Sequence, residues 1–511
     1  MPEVEILSAS SEQLQGLPLV GSRIAGETVA DPSAPTSQVF DPATGEVTRL
    51  VAHADAATVQ RAVDAASAAF VEWREAAQNR RFAWLMGFRE RLVAARPALV
   101  DLIIDEGGKA RPDAEGEFNR TLDGLDSAFS MPVALQGAYS EQVARGIDTY
   151  ALPRPLGVVT TITPFNFPLM IPVWDAVAAL VSGNTVIHKP SPRVPSASVL
   201  LCEILEQTGL PVGAFNVIQG EAETVGLLLD HPVIQAASFV GSTPVAHEIY
   251  RRGSAAGKRV QAMGGAKNHV IVMPDADMPF TADSLVSGAF GSSGQRCMAV
   301  TLAVAVGDAA DRIREEVSSR IPALKVGAGR DADSEMGPVI SRESQQRALD
   351  YIEKGVAEGA ELVVDGRALA AERAGFFVGP TLFDRVVPGT SLYDNEIFGP
   401  VLGIVRVETL DEAMDLIDRS PYGNGASIFT GSGLAARKFQ RDAGAGMVGV
   451  NVPIPVPVNS FSTGGWKASV FGAHGLLGPE AFRFYTHQKI VTVRWPESGA
   501  QSMGMAFNPG R

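Results

Sequence analysis

Cysteine is scarce in this chain, since only two occur in 511 residues. Two cysteines cannot form a disulfide framework, which excludes the disulfide-stabilised secreted domains and predicts a reducing, cytoplasmic compartment. Residues 1–5 carry acids where a secretory signal would carry lysine or arginine. The apolar run 169–181 is interrupted by Pro172 and Asp175 and is too short to span a bilayer. We therefore expect a cytoplasmic protein without a membrane segment.

Positive charge is also in short supply, because 43 Lys and Arg stand against 57 Asp and Glu and the formal net charge is −14. A surface of this sign argues against nucleic acid as the main partner. An anionic substrate would need a local basic pocket that works against the overall field. Hydrophobic residues make up 46% and charged residues 20% of the chain, which is typical of globular proteins. A length of 511 residues predicts two or three domains.

Hydrophobic periodicity predicts helices first and alternating strands and helices afterwards. Apolar residues recur at helical spacing from residue 55 up to Gly107 and Gly108, and again through residues 115–125. Residues 147–152 predict a short strand, and a strand–helix alternation typical of a doubly wound sheet follows it. A second α/β unit begins near Lys267. Residues 482–494 alternate well enough to predict a strand that could pair with another subunit.

Two glycine- or proline-rich runs have a clear structural interpretation. Prolines alternate in residues 451–457, which excludes a helix or a central strand and predicts an extended surface or site-lining loop. The glycines of residues 444–449 match G-x-G-x-x-G, but the run enters an apparent strand at 447–450 instead of leaving one. The dinucleotide fingerprint requires strand, glycines and then helix, so we expect no cofactor loop there.

Cys297 lies in the run F-G-S-S-G-Q-R-C-M-A at residues 290–299. A thiol is a nucleophile only as a thiolate, so a reactive cysteine needs a nearby cation or aligned amide dipoles. Arg296 could supply the cation, and the Gly/Ser-rich approach lets backbone N–H groups come close. On this segment alone a buried structural thiol is the more frequent outcome. Cys202, in an apolar helical pattern, is predicted to be core.

Residues 240–244 open a helix directly after a predicted strand. Such a strand–turn–helix presents free N–H groups and a positive dipole end to a phosphate. A plain helix N-cap would also place serine or threonine at Ser242. The residues alone leave both interpretations open.

Short motifs in matching order make the chain resemble the aldehyde dehydrogenase superfamily over most of its length. They are T-P-F-N-F-P at 163–168, H-K-P-S at 188–191, F-V-G-S at 239–242, G-Q-R-C at 294–297 and E-I-F-G-P at 396–400. Within the superfamily the chain most resembles the CoA-acylating methylmalonate-semialdehyde dehydrogenase branch, through residues 146–150, 265–269, 290–299, 448–457 and 483–486. The resemblance implies an α/β fold with a Rossmann-type NAD-binding domain, an α/β catalytic domain and a β oligomerisation arm.

The resemblance also implies domain boundaries. They are 1–137 and 157–262 for the NAD-binding domain, 263–450 for the catalytic domain, 138–156 and 480–496 for the oligomerisation arm, and 451–479 for a site-lining loop region. An arm of this kind implies a homodimer or homotetramer.

By motif match, Cys297 would attack the aldehyde carbonyl as a thiolate. The side-chain N–H of Asn166 and the backbone N–H of Cys297 would form the oxyanion hole, and a hydride would pass to NAD to leave a thioacyl-enzyme. Arg120 and Arg296 match the substrate-carboxylate arginines of the branch, and a guanidinium fork suits a carboxylate. The expected partners are a small-molecule semialdehyde and CoA as co-substrate, and no metal is expected.

The resemblance assigns a further set of residues to NAD binding. Thr163 and Phe165 would line the nicotinamide side, Lys189 and Arg193 would approach the adenosine ribose, Ser242 would lie at the pyrophosphate, Glu396 and Phe398 would lie at the nicotinamide ribose, and Gly264 would belong to the same site.

The chain departs from the superfamily pattern at one place that bears on the reaction. Hydrolytic members carry a glutamate before Leu-Gly-Gly that activates water. The matching run here is Q-A-M-G-G at residues 261–265, and the match places Ala262 where that glutamate stands. Without a carboxylate to take a proton, water should attack a thioester slowly, whereas a CoA thiolate needs no such base.

A second departure bears on the cofactor. Pro192 stands where the branch usually has a glutamate that accepts the adenosine ribose hydroxyls. Its loss removes one cofactor hydrogen bond, and Arg193 nearby could tolerate a 2′-phosphate.

The sequence thus predicts NAD-dependent oxidation of malonate or methylmalonate semialdehyde with loss of CO2 and acyl transfer to CoA. The products would be acetyl-CoA or propionyl-CoA. An ordinary aldehyde dehydrogenase that releases a free acid is an alternative, against which Ala262 argues. A non-catalytic homologue is another, against which Cys297, Asn166 and Glu396 argue.

Overall fold

The computed structural model describes residues 16–457, 461–473 and 475–495. The acidic N-terminal run and parts of the predicted segments 1–137, 451–479 and 480–496 lie outside the described residues. Two large sheets flanked by helices carry the described fold, together with smaller sheets. No helix in the described part of the chain is long and apolar enough to cross a membrane.

The strands of the described residues, in chain order, are β1 (Leu19–Val20), β2 (Ser22–Ile24), β3 (Glu27–Val29), β4 (Thr36–Phe40), β5 (Val47–Ala52), β6 (Ala138–Ala144), β7 (Ile147–Pro155), β8 (Val158–Ile162), β9 (Thr185–Lys189), β10 (Phe215–Val217), β11 (Ile234–Val240), β12 (Arg259–Met263), β13 (Asn268–Val272), β14 (Val300–Val306), β15 (Glu361–Val364), β16 (Thr381–Asp384), β17 (Val401–Val407), β18 (Tyr422–Gly423), β19 (Gly425–Phe429), β20 (Met447–Val450), β21 (Trp466–Lys467), β22 (Val470–Gly472) and β23 (Thr486–Arg494).

The α-helices of the same residues are α1 (Ala56–Trp73), α2 (Gln78–Ala94), α3 (Arg96–Gly107), α4 (Arg111–Ser127), α5 (Met131–Ala134), α6 (Met170–Val181), α7 (Ser196–Glu206), α8 (Ala222–Asp230), α9 (Thr243–Ala255), α10 (Met278–Phe290), α11 (Ala309–Arg320), α12 (Arg342–Ala357), α13 (Ala368–Glu372), α14 (Ser391–Asp394), α15 (Leu410–Arg419), α16 (Gly433–Asp442) and α17 (Gly478–Phe484).

The first large sheet has the strand order β22-β12-β11-β8-β9-β10-β2-β3. Its five central strands, β12 to β10 in that order, are parallel. The chain runs outward from β8 through β9 to β10 and then returns to the other side of β8 with β11. This reversal creates a topological switch point between β8 and β11, and the predicted doubly wound sheet is confirmed.

The second large sheet has the order β15-β16-β17-β14-β13-β19-β20. All its neighbours are parallel except the edge pair of β15 and β16. β20 begins at Met447, inside the glycine run of residues 444–449, so this run enters a strand as the sequence predicts. Residues 451–457 form neither helix nor strand, which confirms the interpretation of the alternating prolines.

A separate antiparallel sheet has the order β23-β7-β6. β7 pairs with β23 from Pro155 opposite Thr486 to Ile147 opposite Arg494. The predicted strand at 147–152 is therefore too short, because β7 continues through two prolines. Beyond Ala151, β7 no longer pairs with β6, and a strand with one free edge tolerates proline.

The predicted strand at 482–494 is wrong in its first residues. Helix α17 covers residues up to Phe484, and β23 begins only at Thr486. Phe482, Phe484 and Tyr485 are buried in the helical core. These core side chains at the end of a helix continue the alternation of the following strand, which explains why periodicity alone merged the two elements.

A buried polar cluster connects α6, β11, β12 and the end of α17. Ser238 Oγ lies 2.9 and 3.0 Å from the two carboxylate oxygens of Asp175, and Tyr485 Oη donates to Asp175 at 3.3 Å. Gln261 Nε2 donates to Ser238 Oγ at 3.0 Å. No cation among the described residues pairs with Asp175, and burial raises its pKa to about 7.

Asp175 makes stability depend on pH. Folding raises the pKa of the Asp175 carboxyl from 3.8 to about 7. Above pH 7 this shift lowers the free energy of unfolding by roughly 4 kcal/mol, and below pH 4 the loss vanishes. We expect Asp175→Asn to unfold at a higher temperature than the wild type at pH 8, with the gain shrinking towards pH 5. Thermal unfolding at both pH values measures this, and an equal difference at both would contradict the assignment.

Candidate active site

A strained turn delivers Cys297 from the end of α10. Ser292, Ser293 and Gly294 have φ values of 50°, 55° and 68°, in the left-handed region that L side chains seldom adopt. A Cβ on Gly294 would lie 2.2 Å from the carbonyl oxygen of Gly399, so only glycine fits. The backbone therefore requires glycine at position 294, three residues before Cys297.

Two asparagine amides fix the carbonyl group of Cys297. Asn268 Nδ2 donates to this oxygen at 2.9 Å and to that of Ala299 at 3.0 Å, and Asn424 Nδ2 donates to the Cys297 oxygen at 3.3 Å. Neither asparagine is predicted from the sequence as a site residue. The only signal was the run at 265–269, which contains Asn268, whereas Asn424 comes from the distant β18–β19 connection.

The structure brings Asn166 and Cys297 together, as the motifs predict. Asn166 Nδ2 donates to Gln295 O at 3.1 Å and lies 3.7 Å from Cys297 Sγ. The Oδ1 atom of Asn166 is buried and has no partner among the described residues. This arrangement can place an amide N–H beside an oxygen that becomes negative on a carbon bound to the sulfur.

Desolvation controls the Cys297 thiol. Its pKa is raised to about 11, first by burial and then by the Glu396 carboxylate, while the Asn166 amide acts in the opposite direction. The expectation that Arg296 supplies a cation to the thiol is wrong, because its guanidinium forms an ion pair with Asp113 and donates to Ser292 Oγ at 3.3 Å. In this state the thiol is protonated near neutral pH.

A cavity of about 480 Å³ adjoins Cys297. Arg120, from α4, and Arg296 both line it, as do Ile454 and Val456 of the proline-rich loop. Arg120 Nη1 pairs with Asp123 at 3.1 Å and Nη2 donates to Pro457 O at 3.3 Å. The structure thus brings the two predicted arginines to one cavity, each paired with an aspartate.

The predicted position of the missing carboxylate is wrong by one residue. Ala262 is fully buried in β12 among core side chains of β11 and α9. Strand side chains alternate between faces, so the next residue, Met263, lines the cavity and packs in the cluster that contains Cys297. The wall beside the thiol therefore presents a thioether.

The acidic residues of the cavity wall are already engaged. Glu117 Oε2 accepts from Lys109 Nζ at 2.6 Å, and its Oε1 accepts from the backbone N–H groups of Leu169 and Met170 at 3.0 and 3.1 Å. These contacts hold the start of α6 and so the loop that carries Asn166. Sequence reasoning missed Lys109 and Glu117, because nothing in their spacing indicates a buried pair. Asp113 is engaged by Arg296.

Several predicted cofactor residues lie where the parallel strands end. Thr163, Lys189, Ser242 and Gly264 stand at or just beyond the carboxyl ends of β8, β9, β11 and β12. Ligands of doubly wound sheets bind in the crevice at this edge. Ser242 makes no side-chain cap bond to α9, and Thr163 Oγ1 is buried without a partner in the described part of the chain. Free donors at a helix N-terminus fit a pyrophosphate.

Lys189 is buried at this edge. Its Nζ donates to Pro190 O at 2.8 Å and to Gly220 O at 3.1 Å, and burial lowers its pKa to about 8. The guanidinium of Arg193 lies 5.8 Å from the ring centroid of Phe165. Pro192 lies between these two cations.

Glu396 and Phe398 lie on the other side of the crevice. Glu396 Oε1 accepts from Ala266 N at 3.0 Å, and burial raises its pKa although Lys267 opposes the rise. Phe398, at φ 56°, packs edge to face on Phe165 with the centroids 5.9 Å apart. Residues from both large sheets thus meet near Cys297.

Comparisons with known proteins agree with this architecture. The model of the aldehyde dehydrogenase family matches residues 29–491. A malonate-semialdehyde dehydrogenase of Pseudomonas aeruginosa is 48% identical over 477 residues, 93% of this chain and 96% of that protein. Malonate-semialdehyde dehydrogenase 1 of Geobacillus thermodenitrificans is 42% identical over 94% of this chain and 99% of that protein.

Solved structures are equally similar. The methylmalonate-semialdehyde dehydrogenase of Oceanimonas doudoroffii superposes with a TM-score of 0.93 at 46% identity, and covers 94% of this chain and 99% of that one. A Sinorhizobium meliloti protein complexed with NAD has the same TM-score at 42% identity and the same coverage. This chain belongs to the aldehyde dehydrogenase family, and the predicted resemblance and fold class are confirmed.

The raised pKa of Cys297 predicts the pH dependence of its reactivity. Below a pKa of about 11 the thiolate fraction grows tenfold with each pH unit, so inactivation of the ligand-free protein by iodoacetamide should accelerate about tenfold per unit between pH 7 and pH 10. The initial rate of activity loss measures this. A rate that levels off near pH 7 would contradict the assigned burial effect.

Proposed function

We propose that this member of the aldehyde dehydrogenase family oxidises malonate or methylmalonate semialdehyde with NAD and transfers the acyl group to CoA. Relatives that carry these substrates in their names align over more than nine-tenths of the chain. One observation supports acyl transfer to CoA most directly. The cavity wall beside Cys297 presents Met263, which cannot accept a proton from water.

In this proposal the Cys297 thiol first loses its proton to water in the cavity. The thiolate Sγ then bonds to the aldehyde carbon, and the π electrons of the carbonyl bond pass to its oxygen, which becomes an oxyanion. Asn166 Nδ2, 3.7 Å from Sγ, and the backbone N–H of Cys297 then donate to that oxygen. Such donors are each worth about 10²–10³ in rate. Oxidation leaves an acyl group on Cys297 as a thioester, and a thiolate of CoA attacks it without needing a general base.

NAD, when bound, supplies the hydride acceptor that the chain itself lacks. Ser242 and the N-terminus of α9 would hold the pyrophosphate, Lys189 would approach the adenosine ribose, and Glu396 would approach the nicotinamide ribose. Pro192 offers no acceptor to the adenosine ribose, so we expect NAD to bind less tightly than it would with a glutamate at this position. We expect NAD to remain preferred over NADP.

The same oxyanion donors serve the loss of CO2. When the carboxylate leaves the malonyl or methylmalonyl thioester as CO2, its bonding electrons delocalise into the thioester carbonyl. The resulting enolate oxygen lies where Asn166 donates, and protonation of the carbon gives the acetyl or propionyl thioester. One set of donors thus lowers the barrier of two steps.

The exposed three-stranded sheet supports an assembly of identical chains. Tyr139 of β6 and Ile490 of β23 are exposed apolar residues on this sheet. Covering them against a second copy would make a homodimer or homotetramer. We infer that the chain is divided into the predicted domains, with β6, β7 and β23 as the oligomerisation arm. We also infer a cytoplasmic location, with which the two free cysteines agree.

NADH formation with and without CoA tests the proposed function. With NAD and malonate semialdehyde alone, we expect a burst near one equivalent per active site and then a slow phase. Adding CoA should restore fast turnover with acetyl-CoA as product. Rapid, sustained NADH formation without CoA would favour the free-acid alternative, and no NADH with any aldehyde would favour a non-catalytic homologue.

Met263 predicts how the CoA requirement can be relaxed. Met263→Glu places a carboxylate beside the thioester and should raise the CoA-free steady-state rate, since general-base assistance is worth about 10²–10⁴-fold. Met263→Gln is the matched control, because it has the same shape without the base. Equal rates in the two variants would contradict this account of Met263.

The cavity arginines predict which aldehydes depend on them. Arg120→Leu should lower kcat/KM for malonate semialdehyde. The loss of transition-state stabilisation should be roughly 2–5 kcal/mol if the pair of Arg120 and the substrate carboxylate is desolvated. Propanal, which has no carboxylate, should be much less affected, and steady-state kinetics on both aldehydes measures the difference. Equal losses would contradict carboxylate recognition by Arg120.

A further inference from the structure

Asp113, in the first turn of α4, connects the cavity arginine Arg296 to the turn that precedes Cys297. One carboxylate oxygen forms an ion pair with Arg296 Nη2, and the other accepts from the backbone N–H of Ser292 at 2.7 Å. Arg296 Nε donates to Ser292 Oγ at 3.3 Å. The side chain of Asp113 is only 13% exposed, so this ion pair is shielded from water.

The guanidinium of Arg296 has two directions available to it. It lines the cavity beside Cys297 and also a second cavity of about 350 Å³, which contains Asp283 and Glu335. Asp283 is paired with Arg320, which lines the same cavity, so Glu335 is the carboxylate that would attract an arginine that lacked an anchor. Asp113 lines both cavities, and its contact keeps the guanidinium against the turn, where a Cβ on Gly291 would lie 2.6 Å from Arg296 Nη1.

Asp113 leaves part of the guanidinium available. Nε and Nη2 of Arg296 are used by Ser292 and Asp113, whereas Nη1 has no acceptor in the described part of the chain. A carboxylate in the cavity can therefore be recognised by a directed N–H group rather than by net charge, because Asp113 already neutralises Arg296. The direction of that group depends on the anchor.

We propose that Asp113 is a positioning residue, which holds the Arg296 guanidinium at the wall of the Cys297 cavity so that its remaining N–H groups can bind the carboxylate of the substrate. This inference rests on the proposed function. Asp113→Asn is an informative variant, because both oxygens of Asp113 accept hydrogen bonds and an asparagine can offer only one acceptor. Either the Arg296 contact or the Ser292 contact must be lost, and because the variant side chain is neutral the Arg296 contact is weakened even where it is kept.

Alkylation of Cys297 tests the proposal without semialdehyde, NAD or CoA. Iodoacetate carries a carboxylate and iodoacetamide does not. The inactivation rate with iodoacetate divided by the rate with iodoacetamide, here called the alkylation ratio, therefore reports carboxylate recognition near the thiol. Cys202 is fully buried and does not compete for the reagents. We expect Asp113→Asn to lower the ratio roughly 10- to 100-fold, the range of a hydrogen bond to a charged group.

The sign of the change separates positioning from simple charge. Removing a negative charge without moving Arg296 would raise the ratio, because the cavity becomes more positive. A raised or unchanged ratio therefore overturns the proposal. Asp283→Asn is the matched control. It also removes a carboxylate from the second cavity, but Asp283 pairs with Arg320 and not with Arg296, so the ratio of this variant should equal that of the wild type.

Steady-state kinetics provides the second readout. Asp113→Asn should lose kcat/KM for malonate semialdehyde roughly 10- to 100-fold, mostly through KM, while propanal changes by less than about threefold. Equal losses on both aldehydes would mean that Asp113 only supports the turn, which overturns the proposal. If the wild type does not oxidise malonate semialdehyde, the proposed function fails, whereas the alkylation ratio still decides on Asp113.

Asp113→Glu keeps the negative charge and serves if the asparagine variant does not fold. The extra methylene group moves the carboxylate away from Ser292 or Arg296, and the second cavity has room for the displacement. We expect its alkylation ratio to fall below that of the wild type. An unchanged ratio would overturn the proposal.

Discussion

Partial burial of the Cys297 thiol at the wall of the cavity is the constraint on which the rest of the site depends. Desolvation is the main reason that its pKa is raised to about 11. A buried sulfur needs donors at fixed positions, because mobile water cannot stabilise charge there. The left-handed turn at residues 292–294 and the Asn268 and Asn424 amides hold the segment rigidly. Asn166 then supplies an N–H group at the sulfur.

Charge in the cavity is balanced in pairs. Arg296 with Asp113 and Arg120 with Asp123 carry two positive and two negative formal charges, so the walls attract a carboxylate through oriented N–H groups. This agrees with the acidic chain as a whole, because no cationic surface is needed around the site. The buried Lys109–Glu117 pair follows the same principle at the start of α6. Positioning, more than net charge, distinguishes this cavity.

Much of the fold and of the site could be predicted, and the errors have physical causes. Periodicity revealed the parallel sheet and its helices, and motif order placed Cys297, Asn166 and both arginines near one another. A motif match cannot fix the pleat of a strand, so Ala262 was chosen where Met263 faces the cavity. Periodicity also merged α17 with β23, since Phe482 and Phe484 continue the alternation. Asp113 carries no sequence signal, because its partners are far away in the chain.

The central claim is that Cys297 carries an acyl group that CoA removes and water does not. Mass spectrometry of the protein quenched with acid, after mixing with NAD and malonate semialdehyde in the absence of CoA, tests it most directly. The account predicts an acyl adduct on the peptide that contains Cys297, none on that containing Cys202, and its disappearance on addition of CoA. An unmodified Cys297 peptide together with accumulating free acid would contradict it.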